Sequence, residues 1–391
     1  MKEWKEYKAT DFCTNVTDGT HDSPKPKAEG HYLITSKHLQ NNVIDFSSAY
    51  RISEEDYMKV IQRSRVEQFD ILFSMIGTIG NTVRVVSPEV DFAVKNMAIF
   101  KMGQNDLKSK WLYYWLKSST AKAYISSRLA GSTQSYLTLD ALRNFPIYAP
   151  DERAMQGITD ILSSIDDKIE LNNRINHNLE EQVQERFDSM IMSDIGLGYC
   201  QIADYVDVNP KRSLRKNVPA KCVDMSFLST TGPFPSGWET KAYNGGMKFM
   251  NGDAIMARIT PCLENGKVAY ANFLDDGEVA FGSTEYIVLH AKEGVDPVFT
   301  YFLARNKNFV DYATKNMNGS SGRQRVSGDT IEKYMIPVID NDSLNEFSSF
   351  AAPAMEVIRN NSFEIRSLAA TRDALLPLLL SGELPISQMN C

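Results

Sequence analysis

The chain has 391 residues and a formal net charge of -7, with 43% hydrophobic and 23% charged residues. These values are ordinary for a globular protein of two or three domains, and they exclude binding of nucleic acid through excess positive charge alone. No apolar run approaches the ~18 residues of a membrane span, and the N-terminus has no secretory pattern, so we expect a cytoplasmic protein without a membrane partner. The five cysteines are far apart and lack metal-ligand spacing, which predicts free thiols and no metal site.

The first 150 residues predict a mixed α and β module. Short runs rich in β-branched and aromatic residues, separated by Gly77, Gly80 and Pro88, are typical of strands. We predict strands at 71–76, 82–86, 92–94 and 97–100, followed by one or two helices between 109 and 129.

From residue 151 the periodicity changes to that of a coiled-coil helix. Apolar and amide residues recur with heptad spacing, and charged residues fill most of the positions between them. At ~1.5 Å per residue, about 35 residues make a rod of roughly 50 Å. We predict that the helix ends at Gly196 and Gly198. The predicted seam consists of Leu162, Ile165, Ile169, Asn172, Asn176, Leu179 and Val183.

A second module and a second seam follow the first. We predict strands at 255–259, 268–270, 280–281 and 286–289, then helical structure from 297 to 312. We expect Pro377 to limit the last regular helix to its earlier part, because proline breaks the helical hydrogen-bond ladder. The second predicted seam contains Ile358, Asn361, Ile365, Leu368 and Leu375.

The two halves of the chain carry the same pattern. A Gly-Ser loop at 131–136 and another at 319–325 each lead into a long helical segment, and the offset of roughly 190 residues is typical of a duplicated module. One shift superimposes Ile169 on Ile358 and Leu179 on Leu368, so we predict that the seams pack together; the alternative is two surface helices of separate domains. Buried asparagine on a seam fixes register. We therefore divide the chain into a module at 1–150, a helical spacer at 151–196, a module at 197–340 and a helical spacer at 341–391.

The sequence predicts no catalytic site. It lacks the phosphate-binding loop, the dinucleotide fingerprint, the zinc-protease motif and the nucleophile elbow. The Asn-Pro-Pro-aromatic tetrapeptide of amino-methyltransferases is also missing, since Asn209 and Pro210 are followed by Lys211. The adjacent carboxylates Asp166 and Asp167 fit a solvated helix face better than an acid–base pair.

Polar and basic loops remain as candidate DNA contacts. Glutamine can bind adenine, arginine can bind guanine, and serine and threonine commonly hold phosphate. An ordinary surface turn explains any single residue at least as well, but both Gly-Ser loops occupy equivalent places in two modules that otherwise differ. The candidates are Thr20, His21, Arg84, Ser132, Thr133, Gln134, Ser135, Tyr136, Lys211, Arg212, Arg215, Arg258, Ser320, Ser321, Arg323, Gln324 and Arg325.

These motifs resemble the specificity (S) subunit of type I restriction-modification systems. The resemblance covers essentially the whole chain, and the order of the motifs, given twice, is more specific than any one motif. The matching stretches are 18–24, 45–47, 52–57, 70–77, 131–134, 142–147, 209–212, 223–225, 319–326 and 378–384.

The resemblance implies an α+β fold with two similar mixed α/β target recognition domains, separated by two long antiparallel coiled-coil helices in a pseudo-two-fold arrangement. It implies a non-catalytic DNA-specificity subunit in which each domain reads one half of a bipartite target in double-stranded DNA. The helices would set the half-site spacing and dock two modification (methyltransferase) subunits, through which restriction subunits join. AdoMet, ATP and Mg²⁺ would belong to the partners, with no cofactor in this chain. The alternatives are a coiled-coil protein adaptor without DNA readout and a stand-alone DNA-modifying enzyme.

Overall fold

A computed structural model describes residues 4–40, 42–131, 135–193 and 196–384. The chain divides into two compact units: the first unit comprises Met1–Asp167 and Leu368–Cys391, and the second unit comprises Lys168–Ser367. Each unit therefore contains one of the two modules together with a part of each long helix.

The described part of the first module contains eleven short strands and five α-helices. Its strands are β1 (Lys5–Lys8), β2 (Asn15–Asp18), β3 (His31–Ile34), β4 (Leu39–Gln40), β5 (Val43–Ile44), β6 (Arg51–Ile52), β7 (Ile71–Ser74), β8 (Thr82–Arg84), β9 (Phe92–Val94), β10 (Met97–Lys101) and β11 (Pro146–Ala149). Its helices are α1 (Ala9–Phe12), α2 (Glu54–Ser64), α3 (Asp106–Trp115), α4 (Ser119–Ser127) and α5 (Leu139–Arg143), and the long helix α6 (Glu152–Met192) follows.

The main sheet of the first unit has the strand order β2-β10-β7-β8. Side chains alternate across a strand, and both faces of β7 are covered. Ile71 and Phe73 pack with Trp111 and Trp115 of α3, whereas Leu72 joins a second core beneath the smaller sheet β6-β3-β9. This double burial explains why β7 has a continuous apolar run instead of an alternating one.

The second module repeats this plan. Its strands are β12 (Tyr199–Gln201), β13 (Val206–Val208), β14 (Pro219–Val223), β15 (Glu239–Ala242), β16 (Lys248–Phe249), β17 (Asp253–Ala257), β18 (Val268–Tyr270), β19 (Ala280–Gly282), β20 (Tyr286–Ala291) and β21 (Met335–Pro337). Its helices are α7 (Val298–Arg305), α8 (Lys307–Lys315) and α9 (Gly328–Glu332), and the long helix α10 (Asn341–Ser381) closes the described part of the chain.

The strand order shows the duplication directly. The order β13-β20-β17-β18 matches β2-β10-β7-β8 position by position, and β12-β21 matches β1-β11. The second sheet of each unit also contains one parallel pair, β3 with β9 and β14 with β19. The likeness predicted from two loops therefore extends to the main sheets and to the pairs β1-β11 and β12-β21, whereas the second sheets differ, with three strands in the first unit and four in the second.

A buried carboxylate stands at the same place in both main sheets. Asp70 precedes β7 and pairs with Lys101 at 2.6 Å, and Asp253 begins β17 and pairs with Arg212 at 2.8 Å and with His290 at 2.7 Å. Burial raises the pKa of both carboxyl groups despite these cationic partners. Lys101 and His290 lie on the central strands β10 and β20, so the pairs tie equivalent strands together.

The long helices α6 and α10 pack antiparallel within each unit. In the first unit, Asp166 accepts a 2.8 Å hydrogen bond from Arg372. In the second unit, Asn176 pairs with Asn361 at 2.9 Å, and farther along α6 the ring of Phe187 lies 5.5 Å from that of Phe347. Residue numbers rise along one helix as they fall along the other, which is the antiparallel arrangement expected. Every predicted seam residue is buried or half-buried.

The prediction that Pro377 limits the last helix is wrong. The helix α10 passes through Pro377 and ends at Ser381. Leu379 is fully buried and Leu380 is 3% exposed in the core of the first unit, where Leu162 of α6 also lies. Burial of these leucines offsets the backbone hydrogen bond that the proline removes.

Candidate nucleic-acid interface

A polar turn at residues 18–23 follows β2 in the first unit. The side chain of His21 is 65% exposed, and its ring nitrogens lie 2.8 Å from Asp18 Oδ2 and 2.9 Å from Asn96 Oδ1. Arg63 donates to the other oxygen of Asp18 at 3.1 Å. Because both ring nitrogens of His21 are engaged, this side chain offers a ligand its exposed ring face, while Thr20 beside it is half-buried.

The Gly-Ser loop of the first unit is described only at its base. Ser132, Thr133 and Gln134 lie outside the described residues. At the base, Tyr136 exchanges two 2.9 Å backbone hydrogen bonds with Ala130 and bridges to Ile76. Ser135 is exposed, and Tyr136 is 42% exposed, so an aromatic ring stands at the foot of this loop.

The Gly-Ser loop of the second unit closes in the same way. Arg325 exchanges two 2.9 Å backbone hydrogen bonds with Asn318 and bridges to Ile259. At the tip, the Arg323 N–H donates to the Ser320 carbonyl at 3.0 Å, which makes a tight turn. Ser320, Ser321 and Arg323 are exposed, whereas Gln324 and Arg325 are half-buried.

Glu285 anchors this second loop. Arg325 Nε donates to the two Glu285 oxygens at 3.0 Å and 2.9 Å, and Arg325 Nη2 adds a bond of 2.8 Å. These hydrogen bonds lower the pKa of Glu285, so its carboxylate stays charged. Sequence reasoning missed Glu285, because sheet topology alone brings it beside a loop that lies 40 residues away in the chain.

Besides Arg325, two further candidate arginines are engaged in contacts within the fold. Arg84, with its side chain 15% exposed, pairs with Asp106 and donates to Ser109 Oγ at 3.1 Å. Arg212 pairs with the buried Asp253. These contacts support a structural role for both residues. Arg258 keeps a buried Nε without a hydrogen-bond partner among the described residues.

The basic cluster that opens the second module contains free charges. Lys211 and Arg215 are exposed, as is Lys216 next to them. Within the described part of the chain these three side chains have no ion-pair or hydrogen-bond partner. They are therefore available to a phosphate backbone, unlike Arg212 between them.

His31 forms a separate polar cluster in the first unit. Its ring stacks on Tyr57 with centroids 3.8 Å apart, and its two nitrogens contact Asp91 and Glu54. Burial lowers the pKa of His31, but the hydrogen bonds and charges of Glu54 and Asp91 outweigh it, and the net shift is upward.

The described residues show no group of three or more His, Cys, Asp or Glu side chains that could hold a metal ion. Within the same ranges, none of the helices is both long and apolar enough to cross a membrane. The free cysteines Cys13, Cys200, Cys222 and Cys262 form no disulfide there.

Comparison with known proteins gives consistent matches. Residues 1–181 match the family model described as the type I restriction modification DNA specificity domain. The chain is 21% identical over 465 residues to the specificity subunit of the type I restriction enzyme HindI from Haemophilus influenzae, covering 98% of this chain and 100% of that one. It is 23% identical over 326 residues to the specificity subunit of the type I restriction enzyme MjaIX from Methanocaldococcus jannaschii, covering 72% of this chain and 70% of that one.

A solved structure shares the fold. The crystal structure of the S subunit of a type I restriction-modification system from M. genitalium superimposes with a TM-score of 0.59 at 14% sequence identity, covering 96% of each chain. This match confirms the predicted fold class of two mixed α/β modules with long helices. The sequence matches confirm the resemblance predicted from the motifs, and they do not favour either alternative function.

Proposed function

We propose that this chain, which its sequence matches assign to the specificity subunits of type I restriction-modification systems, is a non-catalytic reader of bipartite targets in double-stranded DNA. Each module, 1–150 and 197–340, reads one half of the target. The helical segments 151–196 and 341–391 set the distance between the half-sites. We propose the cytoplasm as its location, because cellular DNA is its ligand.

The repeated strand order with different loop side chains is the observation that supports this function best. Each module closes its Gly-Ser loop against the segment that follows an equivalent strand, β7 or β17, but Tyr136 stands in one loop where Arg325 stands in the other. A shared scaffold with unlike loops suits a protein that must recognise two different short sequences.

The long helices have dimensions suited to a spacer. Helix α6 contains 41 residues and is ~60 Å long, and half-sites one helical turn apart on DNA are separated by ~34 Å. On its outer side, Leu171 is 51% and Ile175 is 37% exposed, one helical turn apart. We propose that such exposed apolar positions dock the two modification subunits, through which restriction subunits join.

The proposed partners also explain how a chain with a negative net charge can act on DNA. A net charge of -7 provides little general attraction for a phosphate backbone. We propose that this chain supplies base contacts, while the modification subunits supply much of the phosphate contact and bind AdoMet. ATP and Mg²⁺ belong to the restriction subunits in this scheme, and no cofactor binds to this chain.

Reconstitution with the modification subunit tests the proposal. We expect site-specific adenine methylation of duplex DNA when the purified modification subunit and this chain are combined, and no site-specific methylation with either protein alone. A matched control uses a specificity subunit with a different target, which should change the methylated sequence. Methylation of the same sites without this chain would overturn the proposal, and AdoMet binding by the isolated chain would favour a stand-alone enzyme.

A further inference from the structure

The loop at 318–325 is fixed to neighbouring segments at its base. The backbone of Gln324 accepts a hydrogen bond from Thr260 N at 3.1 Å, and Val326 N donates to the Arg258 carbonyl at 3.0 Å. Arg258 N in turn donates to the Glu285 carbonyl at 3.0 Å. The base of the loop therefore continues the strand contacts of the second unit, and its tip at 320–323 projects from a rigid support.

Arg325 uses its donors inside this support. Three hydrogen bonds go to the carboxylate of Glu285, and Nη1 donates to the Arg323 carbonyl at 2.9 Å. Reading of a guanine by arginine requires two parallel N–H donors directed at the base. The fork of Arg325 is already directed at Glu285, so this residue is suited to hold the tip and unsuited to read a base.

Arg323 has the opposite environment. It is exposed at the tip, and its side chain has no hydrogen-bond or ion-pair partner among the described residues. Its backbone is nevertheless held on both sides, because its N–H donates to Ser320 and its carbonyl accepts from Arg325. A free guanidinium on a fixed backbone suits specific base recognition, since the backbone is already ordered before binding and only the side chain has still to be ordered.

The first unit uses the equivalent position differently. Asn96 directly precedes β10, as Glu285 directly precedes β20, and these strands occupy the same place in their sheets. Asn96 contacts His21 in the 18–23 turn at 2.9 Å. Tyr136, at the position of Arg325, supplies no positive charge. The residue before the central strand therefore supports a different loop in each unit.

We propose that Glu285 and Arg325 form a positioning pair for the loop at 318–325, and that Arg323 is the residue that reads a guanine in the half-site of the second module. This inference rests on the proposed function. Of the two arginines in this loop, Arg325 supports the backbone and Arg323 determines specificity.

The test uses the chain in complex with its modification subunits. The wild-type target is first obtained by mapping methylated adenines in genomic DNA, and binding is then measured on duplexes in which each base pair of the second half-site is varied. We expect Arg323→Ala to reduce discrimination at one guanine position by about 5- to 150-fold while preference elsewhere is kept. Arg215→Ala is the matched control, because it also removes one exposed positive charge, and it should leave the base preference unchanged.

The positioning pair is tested by a double-mutant cycle. We expect Glu285→Gln and Arg325→Met to weaken binding by similar factors, on the order of tenfold, and the double variant to be no weaker than either single one. Glu285→Asp keeps the carboxylate and should retain most of the affinity. Circular dichroism melting verifies that each variant is folded.

Three outcomes would contradict these expectations in different ways. If Arg323→Ala weakens binding equally for all sequences and lowers the salt dependence, Arg323 holds phosphate and the reading role is wrong. If Arg325→Met relaxes a base position that Glu285→Gln leaves intact, Arg325 reads DNA and the positioning pair is wrong. If the wild-type complex shows no sequence preference, the proposed function itself fails.

Discussion

Two asparagines on the seam of the second unit occupy different environments. Asn172 is 1% exposed, and its Nδ2 donates to Glu364 Oε2 at 2.8 Å, but its Oδ1 is buried without a partner among the described residues. Asn176 is satisfied at both ends, since it donates to Ser362 Oγ at 3.3 Å and accepts from Asn361 at 2.9 Å. We therefore expect leucine substitutions at these neighbouring positions to have opposite effects on stability.

The magnitudes follow from the unpaired groups. In the wild type, the buried carbonyl of Asn172 without a partner destabilises the fold by ~1–3 kcal/mol. Asn172→Leu removes this group and its cost. The hydrogen bond it loses is replaceable, because the Glu364 side chain is 44% exposed and lies 3.4 Å from Lys168. We expect a net stabilisation of about 1 kcal/mol. Asn176→Leu leaves Asn361 without its partner on the seam, and we expect a loss of about 1–2 kcal/mol.

Thermal unfolding and amide hydrogen exchange over residues 168–183 measure both effects. For a unit of this size, 1 kcal/mol corresponds to a shift of about 2–4 °C in the midpoint. The matched control is Asn173→Leu, because Asn173 is the adjacent asparagine and is exposed; its midpoint should change little. A loss of stability in Asn172→Leu as large as that in Asn176→Leu would refute the reasoning.

Three further predictions concern other parts of the molecule. Because the pKa of His31 is raised in the folded state, its contribution to stability is present at low pH and is lost as the pH rises through the folded pKa. The difference in melting midpoint between wild type and His31→Gln should therefore shrink between pH 5 and pH 9, a range that brackets the ordinary pKa of histidine. Tyr301→Phe removes a 2.5 Å hydrogen bond to the carboxylate of Glu180, and chemical denaturation should show a loss of ~1.5–3 kcal/mol, larger than for Tyr312→Phe, whose hydroxyl donates to a neutral carbonyl. Insertion of a few residues near Asn172 should alter the spacer between methylated half-sites, and an unchanged spacer would exclude the proposed role of the helices in spacing.

Much of the fold could be predicted from local pattern. The strand expected at 268–270 is β18, and the helical segment expected at 297–312 is present as two helices. The break comes at Asn306, whose side chain accepts a hydrogen bond from Phe309 N and so caps the second of these helices. Short edge strands such as β4 and β5 were not predicted, since two-residue strands carry too little periodicity.

The support of the candidate sites could not be predicted in the same way. Glu285 and Asn96 act through loops that are distant in the chain, and the sequence around each gives no signal of its partner. At Pro377 the local signal was misleading: proline disfavours a helix, but burial of Leu379 in the core stabilises the helix beyond it. Local chemistry identified the loops at 18–23 and 319–325, while topology determined which of their side chains are held and which are free.

Exchange of one module is the most direct test of the central claim that each module reads its own half of the target. Residues 1–150 would be replaced by the corresponding module of a relative with a different target, and methylated adenines would be mapped genome-wide in cells that carry the modification subunit. We expect a bipartite target in which one half has changed and the other half and the spacer are kept. A change in both halves, or in neither, would contradict independent reading by the two modules.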